Sequence, residues 1–143
     1  MNKKNLLAIV AGFVVSFLLG WLIYGMLLMD FMNSAVMPGL NKPMEEMMWW
    51  AMILSMLAGT ILLNYVISLA GANNFMKGAT TALWVGLLMA LSYDLYFWGG
   101  TNMYTKMEMI YIDPLISGAM AAITGGVIGW VRGAVDKPAT ATA

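Results

Sequence analysis

One carboxylate lies within a stretch that is otherwise apolar and long enough to cross a membrane. The stretch covers residues 78–98, with the sequence GATTALWVGLLMALSYDLYFW, and the carboxylate is Asp94. An ionised carboxyl group at the centre of a bilayer costs at least ~2.5 kcal/mol, and such groups are usually functional. Asp94 therefore marks a candidate cation or proton site, for which the sequence offers the polar partners Asp113, Asn64, Tyr93 and Asn102.

A second interpretation places Asp94 at the membrane surface. The residue lies in the aromatic sequence YDLYFW near the end of the stretch, where it can reach water or pair with Lys106. Aromatic side chains collect at membrane interfaces, and long basic side chains extend towards them. The sequence favours this anchoring role. Asn64, deeper in the membrane, is expected to form an interhelical hydrogen bond.

The chain contains neither cysteine nor histidine. Thiolate and imidazole chemistry and the commonest zinc ligands are therefore missing, and we expect no cofactor, no metal site and no enzymatic activity. The 16 methionines offer thioether ligands for Cu(I), but methionine is also an adaptable apolar filler, so copper is the weaker interpretation. The number of Lys and Arg residues equals the number of Asp and Glu residues. A chain without net positive charge is not expected to bind nucleic acid.

The composition indicates an integral membrane protein. Of 143 residues, 62% are hydrophobic and 10% are charged, against about 25% charged residues in soluble proteins. Apolar runs of about 20 residues match the thickness of a bilayer. We predict an all-α fold, a four-helix bundle of two transmembrane hairpins in the lipid bilayer, with spans at residues 6–29, 47–70, 78–98 and 114–131.

Turn signals separate these spans. The sequence GANNF predicts a tight turn between the second and third spans. The pair Asp113-Pro114 predicts an N-cap and a proline at the first position of the fourth helix, with a start at Met109 and a proline kink as the alternative. Residues 1–132 are predicted to form a single domain, and residues 133–143 a short disordered tail.

The basic residues predict the orientation of the spans. The side shared by the two termini and the GANNF turn carries most of them, and only Lys42 and Lys106 lie on the other side. By the positive-inside rule, both termini are cytoplasmic and both long loops lie outside. We expect a multi-pass protein of a bacterial inner membrane with an acidic outer face. The basic residues on the cytoplasmic side are Lys3, Lys4, Lys77, Arg132 and Lys137.

Small residues recur at a spacing of four in three of the spans. Such residues let transmembrane helices approach closely, so they are predicted to pack the bundle together. The last span carries them on more than one face, which leaves a face for a neighbour, so we expect a homo-oligomer or a place in a larger membrane complex. The predicted packing residues are Gly12, Gly20, Gly78, Gly86, Gly118, Gly125 and Gly129.

Two short motifs resemble a known family. The sequence GWLIYG at residues 20–25 and the pair Ile112-Asp113, which opens a last span rich in small residues, resemble the domain of unknown function 1761 family of small four-span bacterial membrane proteins. The resemblance covers about residues 6–132. This chain differs from the family pattern in separating Trp21 from Tyr24 and in lacking a histidine after Asp113. The resemblance implies fold and topology only.

The function that the sequence favours is a structural or accessory subunit of a membrane complex. Packing glycines, short loops and the lack of catalytic side chains support it. The alternative is a small homo-oligomeric cation channel or transporter, supported by the acidic outer face and by Asp94, because carboxylates near a pore attract cations.

Overall fold

The computed structural model describes residues 2–136. Its elements are α1 (Lys3–Leu22), a π-helical turn (Ile23–Leu27), α2 (Met29–Ala35), a 3-10 turn (Met44–Glu46), α3 (Trp49–Leu69), α4 (Phe75–Gly100) and α5 (Met109–Asp136). Within the described residues the only strand-like pairing is an isolated bridge between Val36 and Tyr104. The prediction of an all-α helical bundle is confirmed.

Four helical segments are long and apolar enough to cross a membrane, namely Lys3–Leu27, Trp49–Leu69, Phe75–Gly100 and Met109–Asp136. At 1.5 Å per residue, each of them reaches the ~30 Å of a bilayer core. The third span begins earlier than predicted because the side chain of Asn74 caps α4, accepting a hydrogen bond from the backbone N–H of Lys77. Large apolar side chains point outward along all four spans, as expected in lipid, for example Phe17, Leu54, Trp84 and Trp130.

Helix α5 is longer at both ends than the predicted fourth span. It begins at Met109, so Asp113 lies inside the helix and the predicted N-cap is wrong. Pro114 lies inside the helix, where it has no backbone N–H to donate. The helix continues to Asp136, so the prediction of a disordered tail is wrong for residues 133–136. Residues 137–143, which include Lys137, lie outside the described residues.

Glycine lets α4 and α5 pack with their backbones in contact. A Cβ atom at Gly78 would overlap the carbonyl oxygen of Gly125, and one at Gly129 would lie 3.0 Å from the Cα of Gly78. A Cβ atom at Gly86 would lie 2.9 Å from the carbonyl oxygen of Ser117. Backbone contact of this kind provides the van der Waals packing that holds helices together in lipid.

The other predicted packing glycines differ in how tightly they are packed. A Cβ atom at Gly12 would meet Ile128 at 2.7 Å, whereas one at Gly20 would make only ordinary contact with Met56 at 3.6 Å. Every glycine of α5 has a neighbour within 4 Å inside this chain, so the predicted free glycine face is covered. These glycines are Gly118, Gly125, Gly126, Gly129 and Gly133. Assembly with other proteins stays a prediction without that support.

The remaining helices pack around α5. Helix α1 packs along α5, whereas α3 packs mainly on α1 and touches α4 and α5 over short stretches. A buried apolar cluster closes the bundle near the start of α1 and the end of α5, formed by Ala8, Ile67, Ala72, Ala82 and Ile128. Farther along the bundle α3 stands away from α4 and α5, and a cleft lies between the helices.

The two ends of the bundle differ in charge and in covering. The first, here called the basic end, holds the start of α1, the turn between α3 and α4, and the end of α5. The opposite end is covered by residues 28–48 and 101–108, here called the loop cover. The two parts of the cover are joined by hydrogen bonds from Met37 N to Met103 O at 2.8 Å and from Thr105 N to Ala35 O at 2.9 Å.

Candidate functional site

Asp94 lies inside the protein, beneath the loop cover. It is 3% exposed and stands less than about two turns before the end of α4 at Gly100. The Tyr104 hydroxyl, which belongs to the loop cover, donates a hydrogen bond to Asp94 Oδ1 at 2.6 Å. The Tyr104 ring packs edge-on against Phe97, with 6.1 Å between the ring centroids. Tyr104 thereby connects the loop cover to the buried carboxyl group.

Asp113 reaches the same place from α5. Its Oδ1 accepts a hydrogen bond from the Tyr24 hydroxyl at 2.7 Å, and its Oδ2 accepts one from the Ser117 hydroxyl at 3.4 Å. The hydroxyl groups of Tyr24 and Ser117 lie 3.2 Å apart. Tyr24 belongs to the π-helical turn that follows α1, and single π-helical turns occur frequently at functional sites.

The two carboxyl groups are neighbours in the buried site. Asp94 and Asp113 lie near enough for their charges to interact, and Asp94 Oδ2 is a buried atom without a hydrogen-bond donor among residues 2–136. Two ionised carboxylates in contact repel each other strongly, and a hydrogen bond between them requires a proton on one. A proton on Asp94 Oδ2, donated to Asp113, would satisfy both groups and leave one negative charge on the pair.

The anchoring role that the sequence favoured for Asp94 is wrong. The residue does not reach water, and Lys106 points elsewhere. The Lys106 ammonium group donates to Ser34 Oγ at 2.8 Å and lies 5.7 Å from the centre of the Phe31 ring. In the part of the chain that the structure describes, no basic side chain forms an ion pair with Asp94 or Asp113.

The predicted partners of Asp94 are only partly correct. Asp113 is brought next to it, whereas Tyr93 is 58% exposed on the outside of α4, and Asn102 is exposed in the loop cover. Asn64 is buried near the basic end, far along the bundle, where it forms the interhelical hydrogen bond that the sequence predicted. The sequence interpretation missed the hydroxyl groups of the site, which belong to Tyr24, Tyr104 and Ser117.

Arg132 forms a second buried polar cluster near the basic end. Its side chain is 6% exposed and donates to Asn5 Oδ1 at 2.6 Å, Asn64 Oδ1 at 3.1 Å and Ser68 Oγ at 2.8 Å. These neutral acceptors tie α5 to α1 and α3. At the adjoining surface Lys4 pairs with Asp136.

The loop cover keeps Tyr104 in its protonated, donating form. Burial, followed by the hydrogen bond to Asp94 and the nearby charges of Asp94 and Asp113, raises the pKa of the Tyr104 phenol. A neutral phenol donates to a carboxylate, whereas a phenolate would repel it. Within residues 2–136, no three His, Cys, Asp or Glu side chains form a group that could hold a metal ion. The polar groups of this site are two carboxyl and three hydroxyl groups.

An open cleft adjoins the carboxyl pair. Its volume is about 840 Å³ and all four spans line it. Tyr24 and Ser117, which hold Asp113, belong to its wall, whereas most of the remaining wall is apolar and comes from α3 and α4. The site therefore consists of a buried carboxyl pair, a tyrosine from the loop cover and an apolar space beside them.

Comparison with known proteins does not place the chain in a group. No model of a known protein family, no curated protein and no solved structure matches it. The resemblance to the domain of unknown function 1761 family stays a prediction, and the site has to be interpreted from its own geometry.

Proposed function

We propose that this membrane protein is a small transporter whose Asp94–Asp113 pair takes up and releases a proton. The observation that supports it is the burial of Asp94 against a second carboxyl group, with its Oδ2 lacking a donor among the described residues. Acids within membrane spans are costly and are typical of proton relays. An anchoring residue or a packing element would have no need of such a pair.

The hydrogen bonds of the pair suit a site that gains and loses one proton. With a single proton on the pair, one negative charge remains, and Asp113 accepts hydrogen bonds from Tyr24 and Ser117. A second proton removes the remaining negative charge, which is favourable in a medium of low dielectric constant. The pair thus alternates between one proton and two without ionising both acids at once.

The accessory-subunit hypothesis has lost one of its supports. It rested partly on glycines that were expected to face a partner, and those of α5 pack against this chain instead. Purification from native membranes separates the two functions, because an accessory subunit co-purifies with larger subunits and a transporter does not require them.

Transport of cations in liposomes tests the proposal directly. Wild-type protein is reconstituted with a pH-sensitive dye inside the vesicles, and proton, sodium or potassium gradients are applied at matched protein content. We expect proton movement in wild type and its loss in Asp94→Asn and Asp113→Asn. Asp30→Asn is the control, because Asp30 is exposed in the loop cover and should leave the flux unchanged.

Infrared spectroscopy provides an independent measurement. A carboxyl group that holds a proton at neutral pH has a carbonyl-stretch band that Asp94→Asn and Asp113→Asn should each change and Asp30→Asn should not. Equal flux in wild type and Asp94→Asn, or the lack of a protonated-carboxyl band in wild type, would refute the proposal.

A further inference from the structure

The cleft beside the carboxyl pair has the size and character of a small-molecule site. Its volume of about 840 Å³ falls within the range of about 300–1,000 Å³ that is typical of ligand pockets. The wall is largely apolar and rich in methionine, a flexible side chain that adapts to ligands of different shape. Met52 and Met56 contribute from α3, Met89 from α4 and Met120 from α5.

Two hydroxyl groups lie between the cleft and the Asp94–Asp113 pair. Tyr24 and Ser117 line the cleft and donate hydrogen bonds to Asp113, which in turn lies near Asp94. The titratable groups around this junction come from several elements: Asp94 from α4, Asp113 from α5, Tyr24 from the π-helical turn and Tyr104 from the loop cover. Helix α3, the remaining wall, carries Tyr65 as its only titratable residue. The charge at this end of the cleft is therefore negative.

We propose that the cleft binds a lipophilic organic cation, whose positive charge takes the place of the second proton on the Asp94–Asp113 pair. The inference rests on the proposed function. A single negative charge within a membrane can be neutralised either by a proton or by a monovalent cation, so the two compete for it. The apolar wall favours a ligand that is largely hydrophobic, and the negative charge of the pair favours a ligand that is positively charged.

Binding of tetraphenylphosphonium to the purified protein tests this inference. Tetraphenylborate has the same shape and the opposite charge, and it serves as the matched probe. In detergent micelles, we expect equilibrium dialysis to show saturable binding of tetraphenylphosphonium and not of tetraphenylborate. Because protons compete for the same charge, binding of the cation should weaken as the pH is lowered.

Two pairs of variants locate the binding site. Asp94→Asn should weaken tetraphenylphosphonium binding by about tenfold or more, whereas Asp30→Asn should not. Gly59 lines the cleft, and a Cβ atom there meets no other atom within 4 Å, so Gly59→Trp has room for its Cβ atom, places a large ring at the cleft and should abolish binding. Leu54→Trp, on the exposed face of the same helix, should bind like wild type.

The result separates this inference from the proposed function. Equal binding of the two probes, or binding that Asp94→Asn and Gly59→Trp leave unchanged, would overturn the inference and would indicate a lipid-filled cleft. Proton flux would persist in that case if the proposed function is correct. Conversely, tetraphenylphosphonium binding in a protein that moves no protons would contradict the proposed function alone.

Discussion

At the level of single residues, the site depends on hydroxyl groups as much as on acids. Tyr104 fixes one oxygen of Asp94, and Tyr24 fixes one oxygen of Asp113. Each carboxyl group therefore keeps one oxygen bound to a phenol, and Asp94 Oδ2 has no donor among the described residues. The two acids differ in their number of donors, because Asp113 also accepts a hydrogen bond from Ser117.

Loss of the Tyr104 hydroxyl should destabilise the folded protein. Tyr104→Phe removes the donor to Asp94 Oδ1 while Oδ2 already lacks one among the described residues. A hydrogen bond to a buried acid contributes about 1–3 kcal/mol, so we expect a loss of that size in unfolding experiments in detergent at neutral pH. Tyr96→Phe is the control, because Tyr96 is exposed and should unfold like wild type.

The same variant should show a defined pH dependence. The pKa of Tyr104 is raised in the folded protein, so its contribution to stability is fully present below about pH 10, the ordinary tyrosine pKa. Above that pH the unfolded chain ionises at Tyr104 and the folded chain does not, which lowers the stability of wild type. The difference between wild type and Tyr104→Phe should therefore shrink on raising the pH above about 10. A difference that grows instead would contradict the assignment.

The two acids of the site could be predicted from the sequence, and its three hydroxyl groups could not. Asp94 and Asp113 are conspicuous because they are acids beside apolar spans, and sequence spacing is enough to find them. Tyr24 lies 89 residues from Asp113 in a span whose apolar pattern gives no sign of a π-helical turn. Tyr104 belongs to a loop, and only the pairing of two loops brings it over Asp94. Such contacts depend on tertiary packing, which periodicity does not encode.

At the level of helices, the contact between α4 and α5 carries much of the packing. Their glycines meet backbone to backbone at Gly78, Gly125 and Gly129. The sequence predicted the role of these residues correctly, because small residues at a spacing of four form a stripe on one helix face. It could not show which helix each stripe meets, and the supposed free face of α5 is covered by α4 and by the turn that precedes it.

Two glycine substitutions should have opposite effects on stability. A Cβ atom at Gly78 would overlap the Gly125 backbone, so Gly78→Ala should cost about 1–3 kcal/mol or more, the usual cost of overpacking. Gly59 faces open space, and Gly59→Ala should be neutral or stabilising by up to about 1 kcal/mol, because alanine favours the helix. Unfolding in detergent, followed by circular dichroism, measures both. Equal stability of the two variants would mean that α4 and α5 do not pack as described.

At the level of the whole molecule, the bundle is tightly packed near the basic end and has an open cleft in the half near the loop cover. The apolar cluster of Ile67 and Ile128 lies towards the basic end, followed by the buried side chain of Arg132, whose positive charge disfavours the passage of cations there. The cleft and the carboxyl pair lie on the side of the loop cover. This arrangement places the pair nearer the loop cover and separates it from the basic end.

Under the proposed function, the orientation in the membrane decides which compartment would supply the proton. From the positive-inside rule we expect the basic end, with Lys3, Lys4, Lys77 and Arg132, to lie in the cytoplasm. The chain has no native cysteine, so single cysteines can be labelled with a membrane-impermeant thiol reagent. In intact cells, we expect labelling of Asn41→Cys and Asn102→Cys, both exposed in the loop cover.

Asn73→Cys, in the exposed turn of the basic end, should react only after the cells are permeabilised, which also serves as the control for reactivity. This pattern would place the carboxyl pair beneath the outer surface, where it exchanges protons with the outside while the apolar cluster seals the cytoplasmic side. Labelling of Asn73→Cys in intact cells, with protection of Asn41→Cys and Asn102→Cys, would reverse the orientation. The pair would then draw its proton from the cytoplasm.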